Sequence, residues 1–95
     1  MTFEWDARKA SVNLQKHGVS FEDAATVFLD PLAITFPDPD HSWSNDCREI
    51  TIGSTMNKKL LAFVSHCERG RRVRTISARR VTKAERRQYE EAIGS

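Results

Sequence analysis

Three strand-like segments follow one another in the second half of the sequence, with only a few residues between them. They read REITIG at 48–53, KLLAFVSH at 59–66 and RRVRTISA at 71–78. A tight turn can join antiparallel strands, whereas a parallel connection needs a crossover of roughly a dozen residues or more. The short links STMN and ERGR therefore predict an antiparallel sheet, with the nearly continuous apolar run at 59–66 as a central strand.

Two helices are predicted ahead of this sheet. The first, at residues 6–18, begins at Asp6, which can accept hydrogen bonds from the first turn, and ends at Gly18. The second, at residues 20–28, has Ser20 as its predicted N-cap. Apolar positions of the first helix recur at steps of three and four residues, which predicts a buried stripe of Ala7, Ala10, Leu14 and His17.

A third helix is predicted directly after the last strand. Thr82 and Glu85 form the T-x-x-E pattern, in which each side chain caps a backbone N–H group at the start of a helix. Two further strand-like segments, FEW at 3–5 and LAITF at 32–36, complete the order β-α-α-β-β-β-β-α. Residues 1–95 are therefore predicted to form a single α+β domain, with the helices packed on one face of the sheet.

The positive charge of the chain is concentrated near its C-terminal end. Residues 1–65 hold six Lys and Arg against nine Asp and Glu, whereas residues 66–95 hold nine against four. A basic element of this kind attracts polyanions or an acidic protein partner, and charge alone does not distinguish the two.

Composition argues against a membrane protein and against a metal site. No apolar run approaches the length of a membrane span, and the first residues lack the core of a signal peptide, so a cytoplasmic location is expected. Cys47 and Cys67 are expected to be thiols, as is usual in a reducing compartment. Neither these cysteines nor the three histidines have the spacing of metal ligands, so no metal and no cofactor is predicted.

Four arginines bracket the start of the predicted third helix, and the two pairs are interpreted differently. Arg79 and Arg80 lie where the strand ends, and a helix N-terminus beside guanidinium groups suits a phosphate. Arg86 and Arg87 each precede a glutamate by four residues, which predicts ion pairs along an exposed helix face. The alternative for the first pair is an ion pair with a carboxylate from elsewhere in the fold, namely Glu4, Asp6 or Glu49.

Several segments of the chain occur together, and in the same order, in one family of small proteins. They are FEWDxxK at 3–9, KHGVSFEDA at 16–24, VFLDPLA at 27–33, ISARR at 76–80 and ERRQYEE at 85–91. Through them, and over nearly its whole length, the chain resembles BrnT, the toxin of the BrnT/BrnA type II toxin–antitoxin pair. The acidic loop at 37–47 is the least typical part.

The resemblance implies a RelE-like fold, in which an antiparallel sheet is flanked by helices, and an endoribonuclease activity that inhibits translation. It also implies a ribbon-helix-helix antitoxin similar to BrnA, which covers the toxin and takes the complex to operator DNA. The toxin would then reach DNA only through this antitoxin. The alternative from a different class is a noncatalytic module that binds nucleic acid or protein through its basic C-terminal third.

Metal-independent RNA cleavage needs groups that activate the ribose 2′-OH, protonate the leaving oxygen and stabilise the phosphorane charge. Arginine stays protonated, so it serves only to stabilise charge, which suits Arg79 and Arg80. The residues expected to bind RNA are Arg48, Arg74, Arg79, Arg80 and Arg86.

The acid–base candidates are fewer, and each has a structural alternative. Lys16 and His17 form an adjacent titratable pair, although His17 also lies on the predicted apolar stripe. Tyr89 can donate a proton, stack on a base or pack in the core. Glu49 is a candidate base, because it projects from its strand away from the two neighbouring isoleucines.

Overall fold

The computed structural model describes residues 2–39, 48–57 and 59–94 of the chain. Within these ranges, none of the helices is both long and apolar enough to cross a membrane. The strands are β1 (Thr2–Glu4), β2 (Ile34–Pro37), β3 (Arg48–Ser54), β4 (Leu61–Arg69) and β5 (Arg72–Arg80). The helices are α1 (Ala7–His17), α2 (Phe21–Ala25), which continues into a 3-10 helix at Thr26–Leu29, and α3 (Lys83–Gly94).

The five strands form one sheet in the spatial order β1-β5-β4-β3-β2. Strands β2 to β5 are antiparallel neighbours, with Val64 opposite Ala78 near the centre. The predicted α+β class, antiparallel sheet and element order are confirmed. The exception is β1, which runs parallel to β5 with Phe3 opposite Val73. These two strands are the first and the last of the chain, so no tight turn fixes their relative direction.

The helices lie on both faces of the sheet, so the prediction that they pack on one face is wrong. Val64 is buried with Phe21 of α2 in one core cluster. Its neighbour on β4, Phe63, packs instead with Ile52 and Tyr89, the latter from α3. Successive residues of a strand point to opposite faces, and β4 is apolar at successive positions. Both faces of β4 are therefore apolar, and each face is buried by a helix on its own side of the sheet.

The buried side of α1 differs from the predicted stripe. Leu14 is 48% exposed, whereas the adjacent Asn13 is 7% exposed. The Asn13 amide donates to the carbonyls of Val19 and Ala78, at 2.9 and 2.8 Å, and accepts from the Ala78 N–H group at 3.1 Å. The side chain thus takes the place of a peptide group from a neighbouring strand. The spacing of apolar residues could not predict the burial of Asn13, because this side chain is polar and is buried through hydrogen bonds to backbone groups.

The predicted helix ends are formed by the predicted residues. The Asp6 carboxylate accepts from two backbone N–H groups of the first turn of α1, and the Ser20 hydroxyl accepts from the Asp23 N–H group of α2. Gly18 ends α1 with a φ of 70°, a left-handed conformation that glycine adopts without strain. At α3, Glu85 accepts from the Thr82 N–H group at 2.8 Å and Thr82 accepts from the Glu85 N–H group at 3.2 Å.

The expected thiol at position 67 is a further error. Cys67 is disulfide-bonded, and it lies on β4 opposite Arg48. Cys47, for which a thiol was also expected, lies outside the described residues. The thiol was expected only because the protein was expected in a reducing compartment. Whether a disulfide forms also depends on which residues the strand register brings together.

Candidate functional site

Arg79, at the end of β5, is held by the first turn of α3. Its two terminal nitrogens donate to the two carboxylate oxygens of Glu85, each at 2.8 Å. The guanidinium carbon also lies 3.9 Å from the centre of the Phe63 ring, within the range of a cation–π interaction. The side chain therefore presents a planar, fixed cation at the junction of strand and helix.

The pairing partner of Arg79 was not foreseen. Arg79 had been expected either to lack a local partner or to pair with Glu4, Asp6 or Glu49, yet it pairs with Glu85, six residues along. These hydrogen bonds raise the pKa of Arg79 and hold the pKa of Glu85 below its usual value. Glu85 was predicted only as a capping residue. Glu85 both caps α3 and pairs with Arg79, because the capping geometry turns its carboxylate back toward the end of β5.

A groove of about 440 Å³ opens beside this pair. Its walls include Phe36 and Phe63 from the sheet, Gln88 from α3, and both members of the ion pair. Such a groove offers the Phe36 ring for a base and an amide for a base edge, and a phosphate binds the guanidinium fork only if it displaces Glu85. It is therefore the candidate site that best fits a nucleotide.

Arg80 projects away from this groove. Arg80 lies opposite Ala62 and Arg79 lies opposite Phe63, and these two residues of β4 belong to the two opposite core clusters. Alternation along β5 therefore directs the two guanidinium groups to opposite faces of the sheet. The structure separates a pair that the sequence had treated as one unit, and Arg80 is exposed.

Lys16 and His17 lie at a different groove, of about 360 Å³, between α1 and the edge of β5. Lys16 is exposed and His17 is half-buried. The same groove is lined by Arg8, Lys9, Val12 and Ile76, and Arg79 is not part of it. The adjacent titratable pair is therefore not brought together with Arg79 in one pocket.

Glu49 faces a third recess, of about 280 Å³, together with His66. His66 is 3% exposed, and burial lowers its pKa to about 4. Its Nε2 atom lies 2.8 Å from the hydroxyl of Thr51, which is itself 2.8 Å from the hydroxyl of Thr35. Sequence reasoning missed this chain of three side chains. A usable signal was the alternation of Ala62, Val64 and His66, which places the histidine on a buried face of a central strand.

Tyr89 lies in the core between α3 and the sheet, packed against Ile50 and Ile52. Its hydroxyl donates to the Asp30 carboxylate at 2.6 Å. Burial, together with this hydrogen bond, raises the pKa of Tyr89 to about 12. A phenol with that pKa and an occupied donor is poorly suited to release a proton near neutral pH. The geometry favours the structural alternative for Tyr89.

The other arginines are dispersed over the surface. Arg48 opens β3 and is half-buried, Arg74 lies opposite Glu4 on β1, and Arg86 is exposed on α3. Within the described ranges, neither Arg86 nor Arg87 forms the predicted ion pair with the glutamate four residues along. Exposed pairs in the Arg-to-Glu order stabilise a helix little, so solvation competes with them successfully.

Comparison with known proteins assigns the chain to a family. A family model described as the BrnT ribonuclease toxin of type II toxin–antitoxin systems matches residues 5–85. None of the curated proteins compared matches the chain. The matched range runs from just before α1 into the first turn of α3, and so includes both Arg79 and Glu85. The chain therefore belongs to the BrnT family of ribonuclease toxins of type II toxin–antitoxin systems.

Proposed function

We propose that this chain is a metal-independent endoribonuclease that cleaves RNA at the groove beside Arg79 and thereby inhibits translation. The observation that carries the proposal is the guanidinium of Arg79, which Glu85 and Phe63 hold in the lining of a groove of about 440 Å³. A preorganised cation aimed at a developing negative charge is usually the largest single contribution to catalysis of this kind.

In the proposed reaction the ribose 2′-OH attacks the adjacent phosphate and its proton passes to water. The bond between phosphorus and the 5′-oxygen breaks, and the 5′-oxygen takes a proton from water, which leaves a cyclic phosphate and a 5′-OH. The phosphate displaces Glu85 from the fork of Arg79 while the Phe63 ring keeps the guanidinium in place, and Arg79 then stabilises the charge on the phosphorane oxygens. The ring of Phe36 stacks on a base. Flanking phosphates contact the dispersed cations, for which the candidates are Arg48, Arg74, Arg80 and Arg86.

We propose metal independence because the histidines and cysteines of the sequence lack the spacing of metal ligands. Among residues 2–39, 48–57 and 59–94, no three His, Cys, Asp or Glu side chains are grouped in a way that could hold a metal ion. His41, one of the histidines without ligand spacing, lies outside these ranges.

The family is a type II toxin family, so an antitoxin partner is implied. We propose that this antitoxin is a ribbon-helix-helix protein similar to BrnA, that DNA is reached only through the complex, and that the toxin acts in the cytoplasm. The basic C-terminal third of the chain supports an acidic binding region in the partner.

The deciding experiment is cleavage of a structured RNA by the purified chain in EDTA, followed by analysis of the product ends. We expect cleavage to persist, with a cyclic phosphate at the 3′ end, and to fall by roughly 10²- to 10³-fold in Arg79→Ala. Cleavage that EDTA abolishes and a divalent ion restores would contradict the mechanism. RNA that is bound by the wild type but recovered intact would favour the alternative of a noncatalytic binding module.

A further inference from the structure

Among the described residues that line the groove beside Arg79, the carboxylates of Asp38 and Glu85 are the groups that can act as a base near neutral pH. Asp38 directly follows β2, and its N–H group donates to the carbonyl of Arg48 at 3.1 Å. Strands β3 and β4 lie between β2 and β5, so roughly 14 Å separates the backbone of β2 from the strand that carries Arg79. Glu85 is the nearer carboxylate, because it contacts the guanidinium itself.

The two oxygens of the Glu85 carboxylate are held in different ways. Oε1 accepts from the Thr82 N–H group and from one terminal nitrogen of Arg79, both at 2.8 Å. Oε2 accepts from the other terminal nitrogen of Arg79, also at 2.8 Å. A phosphate that takes the fork of Arg79 therefore leaves Oε1 bonded to the helix cap and removes the donor of Oε2. Because the cap limits the movement of the carboxylate, Oε2 stays beside the bound phosphate.

The arrival of a phosphate also makes Glu85 more basic. In the chain without RNA the pKa of Glu85 is held below its usual value, chiefly by the hydrogen bonds from Arg79. Loss of these bonds removes that cause, and a negative phosphate next to the carboxylate favours the protonated form. The negative charge of Asp38, which lines the same groove, acts in the same direction. The pKa of Glu85 is therefore higher when RNA is bound.

We propose that Glu85 is the general base of the cleavage reaction and takes the proton of the ribose 2′-OH on Oε2 once the phosphate occupies Arg79. This assignment rests on the proposed ribonuclease function. As the 2′-oxygen bonds to phosphorus, its proton moves to Oε2, and the bond between phosphorus and the 5′-oxygen breaks. The 5′-oxygen takes a proton from water, and Glu85 then passes its own proton to water. Glu85 thus occupies Arg79 in the empty site and acts as a base in the occupied one.

Glu85→Gln tests this role, because glutamine can still accept from the Thr82 N–H group but cannot take up the proton. In single turnovers at saturating RNA, cleavage should slow by roughly 10²-fold or more, although RNA is bound at least as tightly as by the wild type. Glu91→Gln, at an exposed position of α3, is the matched control and should equal the wild type in both measurements.

Two other results of the same measurements overturn the assignment. If Glu85 only positions Arg79, the variant should bind RNA more weakly as well as cleave it more slowly. If Glu85 only competes with RNA, the variant should bind more tightly and cleave at the wild-type rate. Thermal melts of each variant establish that the compared proteins are folded.

The pH dependence of the cleavage rate at saturating RNA is a second measurement, made over the range in which the chain stays folded. The wild-type rate should fall as the pH falls through the pKa of Glu85 in the complex, because the protonated carboxyl cannot accept a proton. This acid limb should be absent in Glu85→Gln and retained in Asp38→Asn. A wild type without an acid limb, or a limb that is lost in Asp38→Asn and kept in Glu85→Gln, contradicts the assignment.

Failure of this assignment can be distinguished from failure of the ribonuclease proposal. If the wild type cleaves RNA and Glu85→Gln cleaves it equally fast, another group is the base and the ribonuclease proposal stands. If the wild type leaves RNA intact, both the ribonuclease proposal and the role of Glu85 are wrong.

Discussion

Arg79 and Glu85 are joined by two parallel hydrogen bonds of 2.8 Å across the turn between β5 and α3. The same carboxylate accepts from the Thr82 N–H group and so helps to start the helix. One glutamate thus caps α3 and holds the cation at the proposed RNA site. This double role gives the first two predictions, because the two tasks can be separated by substitution.

Arg79→Ala should lower RNA cleavage by roughly 10²- to 10³-fold, the usual cost of removing one preorganised charge stabiliser. The fold should persist, because loss of a partly exposed ion pair costs about 1 kcal/mol or less. Cleavage rates and thermal melts measure the two effects. Arg87→Ala, on the exposed side of α3, is the control and should cleave normally. Equal losses in both variants would place the site elsewhere.

Glu85→Gln should bind RNA roughly fivefold more tightly than the wild type, because the Glu85 carboxylate no longer competes with the RNA phosphate for Arg79. This change in affinity corresponds to about 1 kcal/mol of binding free energy. Glutamine keeps the cap, since its carbonyl oxygen can still accept from the Thr82 N–H group. RNA binding to this variant should release about one more counterion, because the guanidinium is free. The affinity should therefore fall more steeply as the salt concentration rises. Filter binding over a salt series measures both quantities. Weaker binding would mean that Glu85 positions Arg79 for RNA and does not compete with RNA.

Tyr89→Phe should destabilise the domain by about 1.5–3 kcal/mol, the value typical of a hydrogen bond to a charged group. The effect should depend on pH. Burial raises the pKa of Asp30, but the hydrogen bonds from Tyr89 and two backbone N–H groups outweigh it, so the folded pKa lies below 3.8. The stabilisation is therefore present above pH 3.8 and is lost as the pH falls through the folded pKa.

Urea unfolding of wild type and Tyr89→Phe at several pH values measures this dependence. The difference between the two proteins should be largest near pH 6 and should shrink below pH 4. A difference that is constant over this range would show that Asp30 does not carry the effect.

His66 should make the domain less stable in mild acid. Its pKa is about 4 in the folded chain, because burial penalises the charged form, against an ordinary value of 6.5. A histidine whose folded pKa is depressed contributes fully above pH 6.5, and the contribution is lost as the pH falls toward 4. The free energy of unfolding should therefore fall by about 3 kcal/mol over that interval from this residue alone.

His66→Gln tests the assignment, because glutamine can still bond the Thr51 hydroxyl and does not titrate. Denaturant melts between pH 7.5 and pH 4.5 should show a much weaker pH dependence for this variant. His17→Gln, on the surface helix α1, is the matched control. An unchanged slope in His66→Gln would assign the acid sensitivity to other groups.

The sequence alone predicted those features that depend on interactions between residues a few positions apart. Asp6, Ser20 and the Thr82–Glu85 pair each bond backbone groups two or three positions away, so their capping roles could be recognised from spacing alone. The antiparallel order of β3, β4 and β5 followed from turn lengths, and the family from motifs that lie in sequence order.

The tertiary structure decided what depends on the side of the sheet and on distant partners. Asn13 is buried because Ala78, 65 residues away, offers a backbone edge, and Tyr89 is fixed by Asp30, 59 residues away. Arg79 and Arg80 were adjacent in sequence and so were treated as one site. Alternation in β5 sends them to opposite faces, and only the packing of α3 shows which of the two meets Glu85 and Phe63. The alternation of residues along a strand predicts that the two faces of the sheet differ. Which elements cover each face is decided by long-range contacts.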